Sequence, residues 1–132
     1  METRTVLQAK RLGIVSCQHD ALLRDIVIRM ADDDISALVV VDDDEQLIGI
    51  ITRSDVLQAR SSAQDWRQAT VEDFMTRDVL TVSPEALLSE VVAILLDKHI
   101  HRVVVVREEE GKQRPIAVLS DSDLICEMAD EV

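Results

Sequence analysis

Apolar residues recur along this chain in two blocks that follow the same order of periods. Each block contains four apolar residues at the spacing i, i+3, i+4 and i+7, which predicts an amphipathic helix with one buried face. These residues are Leu23, Ile26, Val27 and Met30 in the first block, and Leu88, Val91, Val92 and Leu95 in the second.

Short apolar runs around each predicted helix indicate strands. The runs after the helix are rich in β-branched residues, too short for a helix and apolar on both faces, as expected for buried strands. The predicted strands are 14–16, 38–41 and 47–51 in the first block and 79–81, 103–106 and 115–119 in the second. A second helix is predicted to begin near Ser54 or Ser122, so each block has the order β-α-β-β-α.

The residues ahead of the amphipathic helices are typical of helix N-termini. Ser83, Pro84 and Glu85 supply a cap, a proline at the first helical position and an early acid, and Asp20 supplies a cap in the first block. Between the blocks lies Trp66, the only tryptophan, which we expect to anchor this polar connection by packing.

The two blocks are copies of one another. Residues 21–35 are repeated at 86–100, 65 positions later, whereas Asp55 and its counterpart Asp123 are 68 positions apart. The three additional residues fall in the predicted hairpin loop at 107–114, where insertions cost little. The sequence therefore predicts a duplicated subdomain, with copies at 1–64 and 65–132.

Composition and charge disfavour several classes of protein. The chain has 132 residues, is 47% hydrophobic and contains no apolar run near the ~20 residues of a membrane span. Its first residues lack a secretory signal, so we expect a cytoplasmic protein. A net charge of −12 disfavours nucleic-acid binding, which requires basic surface. Cys17 and Cys126 are expected to be small buried residues without a disulfide.

The turn between the last strand and the last helix carries the same chemistry in both copies. A hydroxyl is followed three residues later by a carboxylate, as Thr52 with Asp55 and as Ser120 with Asp123. One interpretation is a capping box, in which both side chains bind backbone N–H groups at the helix start. The other is a nucleotide site, in which the helix N-terminus attracts phosphate and the carboxylate accepts ribose hydroxyls.

Together these runs resemble the CBS domain, which shares the apolar helix, Val-Val-Val-Asp at 39–42, the acidic turn and Gly-Ile-Ile-Thr-Arg-Ser-Asp at 49–55. Residues 71–76 and the strand beginning at 101–102 are also similar to this family, and the match covers nearly the whole chain. Two CBS domains in tandem form a Bateman module. The resemblance implies an α/β (α+β) fold, with repeats related by a pseudo-twofold axis and packed through their small sheets.

The resemblance also implies clefts that bind adenosine-containing ligands, commonly AMP, ADP, ATP or S-adenosylmethionine. Thr52 and Asp55 would bind phosphate or ribose in one cleft, and Ser120 and Asp123 would do so in the other. Thr81 would lie near the adenine or the ribose.

The two copies are not equally equipped for this role. His101 and Arg102 are expected to face phosphate, reaching across to the first-copy corner, whereas their counterparts at 36–37 carry no charge. Gly49 is matched by Ala117, which adds a methyl where backbone is expected to approach a ligand. We therefore expect one competent site and a second that is weaker or empty.

No resident cofactor, metal or catalytic activity is expected. His99 and His101 lie two residues apart, but no third metal ligand is evident. No Ser-His-Asp or Cys-His order is apparent either. If the ligand is ATP, magnesium would accompany its phosphates.

Two function classes remain open. The first is a sensor that binds an adenosine compound and transmits its occupancy to an unidentified partner protein, and the second is a ligand-free interaction or dimerisation module. Family resemblance implies homodimers formed through the helices. The apolar residues that either make this contact or fill the core of each repeat are Val56, Leu57, Leu124, Ile125 and Met128.

Overall fold

The computed structural model describes residues 3–9, 13–62 and 64–132, and their contacts divide the chain into two compact units. We call Val15–Val79 the first-repeat unit and Met1–Ile14 with Leu80–Val132 the second-repeat unit. This division differs from the expected ranges 1–64 and 65–132. Each unit takes one stretch of chain that the sequence assigned to the other copy.

Thirteen elements follow one another in the described residues, six of them α-helices and six of them strands. In chain order they are α1 (Val6–Ala9), β1 (Ser16–Gln18), α2 (Leu23–Asp33), β2 (Ala37–Val41), β3 (Leu47–Thr52), α3 (Arg53–Ser62), a 3-10 helix (Trp66–Gln68), α4 (Val71–Phe74), β4 (Thr81–Val82), α5 (Leu88–Lys98), β5 (Arg102–Glu109), β6 (Lys112–Ser120) and α6 (Asp121–Ala129).

Each unit contains one three-stranded sheet. The strand orders are β1-β2-β3 and β4-β5-β6, with the first pair of each sheet parallel and the second pair antiparallel. The predicted order β-α-β-β-α and the mixed α+β class are confirmed in both repeats. The first strand of each repeat begins two residues later than predicted, at Ser16 and at Thr81.

The amphipathic stripes form the cores of the two units. In α2 the buried residues are Leu23, Ile26 and Met30, and in α5 they are Leu88, Val91 and Leu95. They pack on alternate residues of the neighbouring β2 and β3 or β5 and β6 strands. Full burial of each such side chain contributes about 1.5–3 kcal/mol to the free energy of unfolding. Because this gain requires the apolar residues to lie on one face of the helix, their spacing predicts both helices.

The predicted side-chain caps at Asp20 and Ser83 are wrong. The N-cap residues are Leu22 and Leu87, and neither makes a side-chain capping bond. Main-chain carbonyls take over the capping, because Leu23 N–H donates to Ala69 O and Leu88 N–H donates to Arg4 O, each at 2.9 Å. At the C-terminal ends of these helices, Asp34 and His99 adopt the left-handed backbone conformation that is common at this position.

The same main-chain pairing explains the division into units. Val71 N–H donates to Ala21 O at 2.9 Å, and Val6 N–H donates to Ala86 O at 2.9 Å. In each unit a single antiparallel bridge, Leu22–Thr70 or Thr5–Leu87, therefore holds another segment against the start of the amphipathic helix. These bonds tie the segment at residues 69–76 to the first-repeat unit and the segment at residues 4–9 to the second.

The inserted residues lie in the hairpin, as predicted. The pairs Val41–Leu47 and Val106–Pro115 are equivalent and both follow a β-bulge. Beyond this point the second-repeat hairpin continues through further pairs, ending at Glu109–Lys112, and turns at Gly111 with a φ of +78°. A solvent-exposed turn accepts this extension without disturbing the core.

Trp66 anchors the connection as expected, packing against the core of the first-repeat unit, with the Arg67 guanidinium 5.1 Å from its ring centroid. Cys17 is buried, and burial raises the pKa of its thiol to about 11. The prediction is wrong for Cys126, which is exposed on α6. No helix in the described ranges has the length and apolar character of a membrane span.

Candidate functional site

The first corner joins β3 to α3 through Thr52 and Asp55. Oδ2 of Asp55 accepts the Thr52 N–H at 2.9 Å and the Thr52 hydroxyl at 3.0 Å. The Asp55 N–H in turn lies 3.3 Å from the Thr52 hydroxyl oxygen. The capping interpretation of this pair is therefore confirmed, and both side chains are half-buried.

The second corner repeats this arrangement between β6 and α6. Oδ2 of Asp123 accepts the Ser120 N–H at 2.8 Å and the Ser120 hydroxyl at 3.1 Å. The Asp123 N–H lies 3.3 Å from the Ser120 hydroxyl oxygen. The two corners thus use one oxygen of each carboxylate for the cap.

A residue to which the sequence analysis gave no role completes the first corner. The Thr76 hydroxyl lies 3.3 Å from Oδ1 of Asp55, and the Thr76 main chain exchanges two 2.9 Å hydrogen bonds with Ile50. The sequence contained a signal for this residue, because Thr76 belongs to the run 71–76, which is similar to the CBS domain. Its counterpart by the 65-residue offset is Arg11, which lies outside the described residues.

Packing within this chain already requires glycine at position 49, and the expected approach of a ligand there stays a prediction. A Cβ built at Gly49 would lie 2.7 Å from Met75 Sδ and 2.9 Å from Thr76 O. The missing methyl therefore lets the segment that carries Thr76 lie directly against β3. Ala117, the counterpart of Gly49, is fully buried in the core of its own unit.

Three of the predicted residues share one face of the second sheet. Arg102 pairs with Ser120 across the antiparallel ladder, and Thr81 pairs with Val104, two residues beyond Arg102. Paired residues, and residues two apart, project from the same side of a sheet. Thr81, Arg102 and Ser120 therefore project from the same side, and all three are half-buried.

The Arg102 guanidinium has an unsatisfied group on this face. Its Nη1 atom is buried and has no hydrogen-bond partner. A buried N–H of a charged group without an acceptor is costly, so this atom is well placed to receive an anionic ligand.

His101 directly precedes β5 and does not share the face that carries Arg102. It is exposed, lines a groove between α5 and α6, and its Nδ1 lies 3.0 Å from Oδ2 of Asp121. His101 and Arg102 therefore face different surroundings, although one role was expected for both. The expectation that these two residues serve the first corner stays a prediction.

The helix starts offer few N–H donors to a phosphate. In α3 the Arg53 N–H donates to Ser36 O, and in α6 the Asp121 N–H donates to His101 O. The third N–H of each helix is taken by the capping hydroxyl. Side-chain cations are consequently the stronger anion-binding groups here. Within the described ranges, no three His, Cys, Asp or Glu side chains are grouped as metal ligands.

Comparisons with known proteins agree with this architecture. The family model of the CBS domain matches residues 9–62 and 71–130. Inosine-5'-monophosphate dehydrogenase of Nitrosopumilus maritimus is 36% identical over 108 residues, covering 77% of this chain and 21% of that protein. The chain thus spans about a fifth of the length of that relative.

Two solved structures show the same fold. The CBS domain protein NE2398 is 26% identical, with a TM-score of 0.83 over 96% of this chain and 98% of that one. The CBS domain pair of protein MJ0100, in complex with 5'-methylthioadenosine and S-adenosyl-L-methionine, is 21% identical, with a TM-score of 0.84 over 98% and 99% of the two chains. This chain therefore belongs to the CBS-domain family and carries two CBS domains in tandem.

Proposed function

We propose that this CBS pair is a regulatory module that binds an adenosine-containing ligand and transmits its occupancy to a partner protein. The observation that carries the proposal is the buried, unsatisfied Nη1 of Arg102, on the same sheet face as Thr81 and Ser120. The Arg102 guanidinium lacks a hydrogen-bond acceptor and lies on the same face as two hydroxyl groups. This combination is suited to a ligand that contains both a phosphate and a sugar. The adenosyl ligands of the MJ0100 pair support the same ligand class.

The corner carboxylates are the proposed ribose groups. In Asp55 the capping bonds occupy Oδ2, whereas Oδ1 accepts the longer bond from Thr76. A ribose diol would therefore bind through Oδ1 and displace the Thr76 hydroxyl. The cap would hold the carboxylate in place, so the structural and ligand-binding interpretations of the corner are compatible.

Charge favours small or cationic adenosyl ligands. The chain carries a net charge of −12, which repels a polyanion at long range, although screening limits this effect to about 8 Å at cellular salt. AMP, ADP and S-adenosylmethionine are therefore easier ligands than free ATP. ATP would bind with magnesium, and no resident cofactor or metal is part of the proposal.

Homodimerisation through helices is the second proposed interaction. Leu57, Ile125 and Met128 are large apolar side chains that α3 and α6 leave exposed. A contiguous exposed apolar surface marks an interaction site more often than a single exposed apolar residue does. A module that only dimerises or binds a protein is the alternative to the sensor.

A thermal-shift panel with adenosine, AMP, ADP, magnesium ATP and S-adenosylmethionine tests the sensor. A ligand that binds only the native state raises the melting temperature by mass action. We expect a rise with at least one compound. The predicted role of Arg102 at the first corner implies a larger loss of binding for Asp55→Ala than for Asp123→Ala, and the reverse order would assign Arg102 to the corner of Ser120 and Asp123. No rise with any compound at millimolar concentration contradicts the sensor and favours the interaction module.

A further inference from the structure

His19 holds the segment that carries Thr76 through both its main chain and its side chain. The His19 carbonyl oxygen accepts the Glu72 N–H at 3.0 Å, and the His19 Nδ1 lies 3.1 Å from Oε2 of Glu72. Glu72 is the second residue of α4, and His19 directly follows β1. The first-repeat sheet and α4 are therefore joined at this point by two contacts.

The same segment is fixed at its other end to the proposed ligand corner. Thr76 exchanges two main-chain hydrogen bonds with Ile50, and its hydroxyl lies 3.3 Å from Oδ1 of Asp55. Between the two ends, Val71 and Met75 are buried in the core of the first-repeat unit. A short, packed segment of this kind carries coupling between its ends, because neither end shifts without disturbing the packing of the other.

The His19 ring faces carboxylates on three sides. Besides Glu72, it faces Asp43 of the β2–β3 turn, with 3.8 Å between Nε2 and Oδ1, and Asp20 is the next residue in the chain. The hydrogen bond to Glu72 raises the pKa of His19 above its usual 6.5 against the effect of desolvation, and the charges of the carboxylates add to this rise. Arg77 lies 3.5 Å from Glu72. A protonated His19 therefore holds α4 more firmly than a neutral one.

The second repeat has no such contact. By the 65-residue offset, the counterparts of His19 and Glu72 are Pro84 and Leu7, which carry no charge. The corner around Asp123 has the same capping geometry as the first corner. The duplication thus supplies a reference corner that lacks the histidine.

We propose that His19 is a positioning residue for the first corner, where its protonation holds Thr76 on Asp55 and weakens ligand binding. A ribose that takes Oδ1 of Asp55 displaces the Thr76 hydroxyl together with its segment, and this shift disrupts the contact between His19 and Glu72. Linkage is reciprocal, so ligand binding also favours release of the proton from His19. The inference rests on the proposed function and names the proton as a regulator of that site.

Titration with adenosine at two pH values tests this coupling, because adenosine has no phosphate whose own ionisation changes with pH. Its affinity should be about two- to threefold higher at about pH 9 than at about pH 5.5, the effect expected from one exposed ion pair. His19→Gln should bind with the higher affinity at both pH values. Glu72→Gln should behave in the same way, because His19 acts through Glu72.

His99→Asn is the matched control. It removes a histidine from the second-repeat unit, and asparagine tolerates the left-handed backbone at this position. This variant should keep the pH dependence of wild type. Equal affinity of wild type at the two pH values would overturn the inference and leave the sensor in place.

A measurement without ligand separates the inference from the proposed function. NMR titration of the His19 ring should give a lower pKa in Thr76→Val than in wild type, because the segment that carries Glu72 is then held less firmly. An unchanged pKa of His19 would show that Thr76 moves independently of Glu72, which overturns the inference whether or not a nucleotide binds. If the pKa falls but adenosine does not bind at either pH, the sensor is wrong and only the coupling between His19 and Thr76 is supported.

Discussion

The Thr76 hydroxyl and the Asp55 carboxylate are joined by a hydrogen bond, with 3.3 Å to Oδ1 and 3.5 Å to Oδ2. Two main-chain bonds to Ile50 fix Thr76 in this position. The chain that leads into the second repeat therefore occupies the oxygen that a ribose would need. Under the proposed function, Thr76 would therefore compete with the ligand for Asp55.

Thr76→Val should strengthen binding of adenosine or AMP to the first corner, because it removes the competing donor and keeps the side-chain shape. Loss of one hydrogen bond of this kind corresponds to about 1 kcal/mol, or about fivefold in affinity. Isothermal titration would measure the change, with Thr76→Ser as the control that keeps the donor. Weaker binding by the valine variant would mean that Thr76 is a ligand contact and not a competitor.

Gly49→Ala should destabilise the protein by about 1–3 kcal/mol, the usual cost of overpacking. The new methyl would meet Met75 Sδ and Thr76 O at 2.7 and 2.9 Å, and the carbonyl cannot retreat without breaking its bond to Ile50. Urea denaturation measures the free energy of unfolding. The opposite change in the other repeat, Ala117→Gly, should also destabilise the protein, because it removes a methyl group that is buried in the core of its unit. A variant Gly49→Ala as stable as wild type would contradict this close approach.

The helices with a regular spacing of apolar residues, and the position of the hairpin insertion, were predictable from the sequence. Helix α2 begins at Leu23 and helix α5 at Leu88, the first residues of the predicted stripes, and the hairpin insertion is where the offset changes. The caps were not predictable, because the acceptors for the Leu23 and Leu88 N–H groups are main-chain carbonyls of distant segments. No side-chain type signals such a contact.

The candidate site was predicted in part. The hydroxyl–carboxylate pairs lie at both corners as the repeated spacing indicated, and Arg102 faces the same side as Ser120. The joint role expected for His101 and Arg102 stays a prediction. In the structure the His101 side chain lines the α5–α6 groove, whereas Arg102 shares a sheet face with Ser120.

Arg102→Met should raise the stability of the ligand-free protein and weaken AMP binding. Methionine keeps the apolar stem and removes the buried guanidinium N–H, whose lack of an acceptor costs about 1–3 kcal/mol. Adenosine has no phosphate, so its binding should be unchanged. Denaturation of the free protein and titration with both ligands would measure these effects. An equal loss of adenosine binding would exclude a phosphate role for Arg102.

His19 links the hairpin and the connecting segment of the first-repeat unit. Its Nδ1 lies 3.1 Å from Oε2 of Glu72, and its Nε2 lies 3.8 Å from Oδ1 of Asp43. Arg77 approaches Glu72 at 3.5 Å from the other side. The hydrogen bond to Glu72 raises the pKa of His19 above its usual 6.5, and the same bond lowers the pKa of Glu72 below 4.5.

This pair should stabilise the fold only in mildly acidic solution. The raised pKa of His19 adds stability below pH 6.5 that is lost as the pH rises through the folded-state value, and the lowered pKa of Glu72 adds stability above pH 4.5 that is lost as the pH falls. His19→Gln should therefore lower the free energy of unfolding at about pH 5.5 and have little effect on it at about pH 9. Denaturation of His19→Gln, Glu72→Gln and the double variant at both pH values gives the coupling energy. A coupling energy of equal size at the two pH values would show that the contact does not depend on the charge of His19.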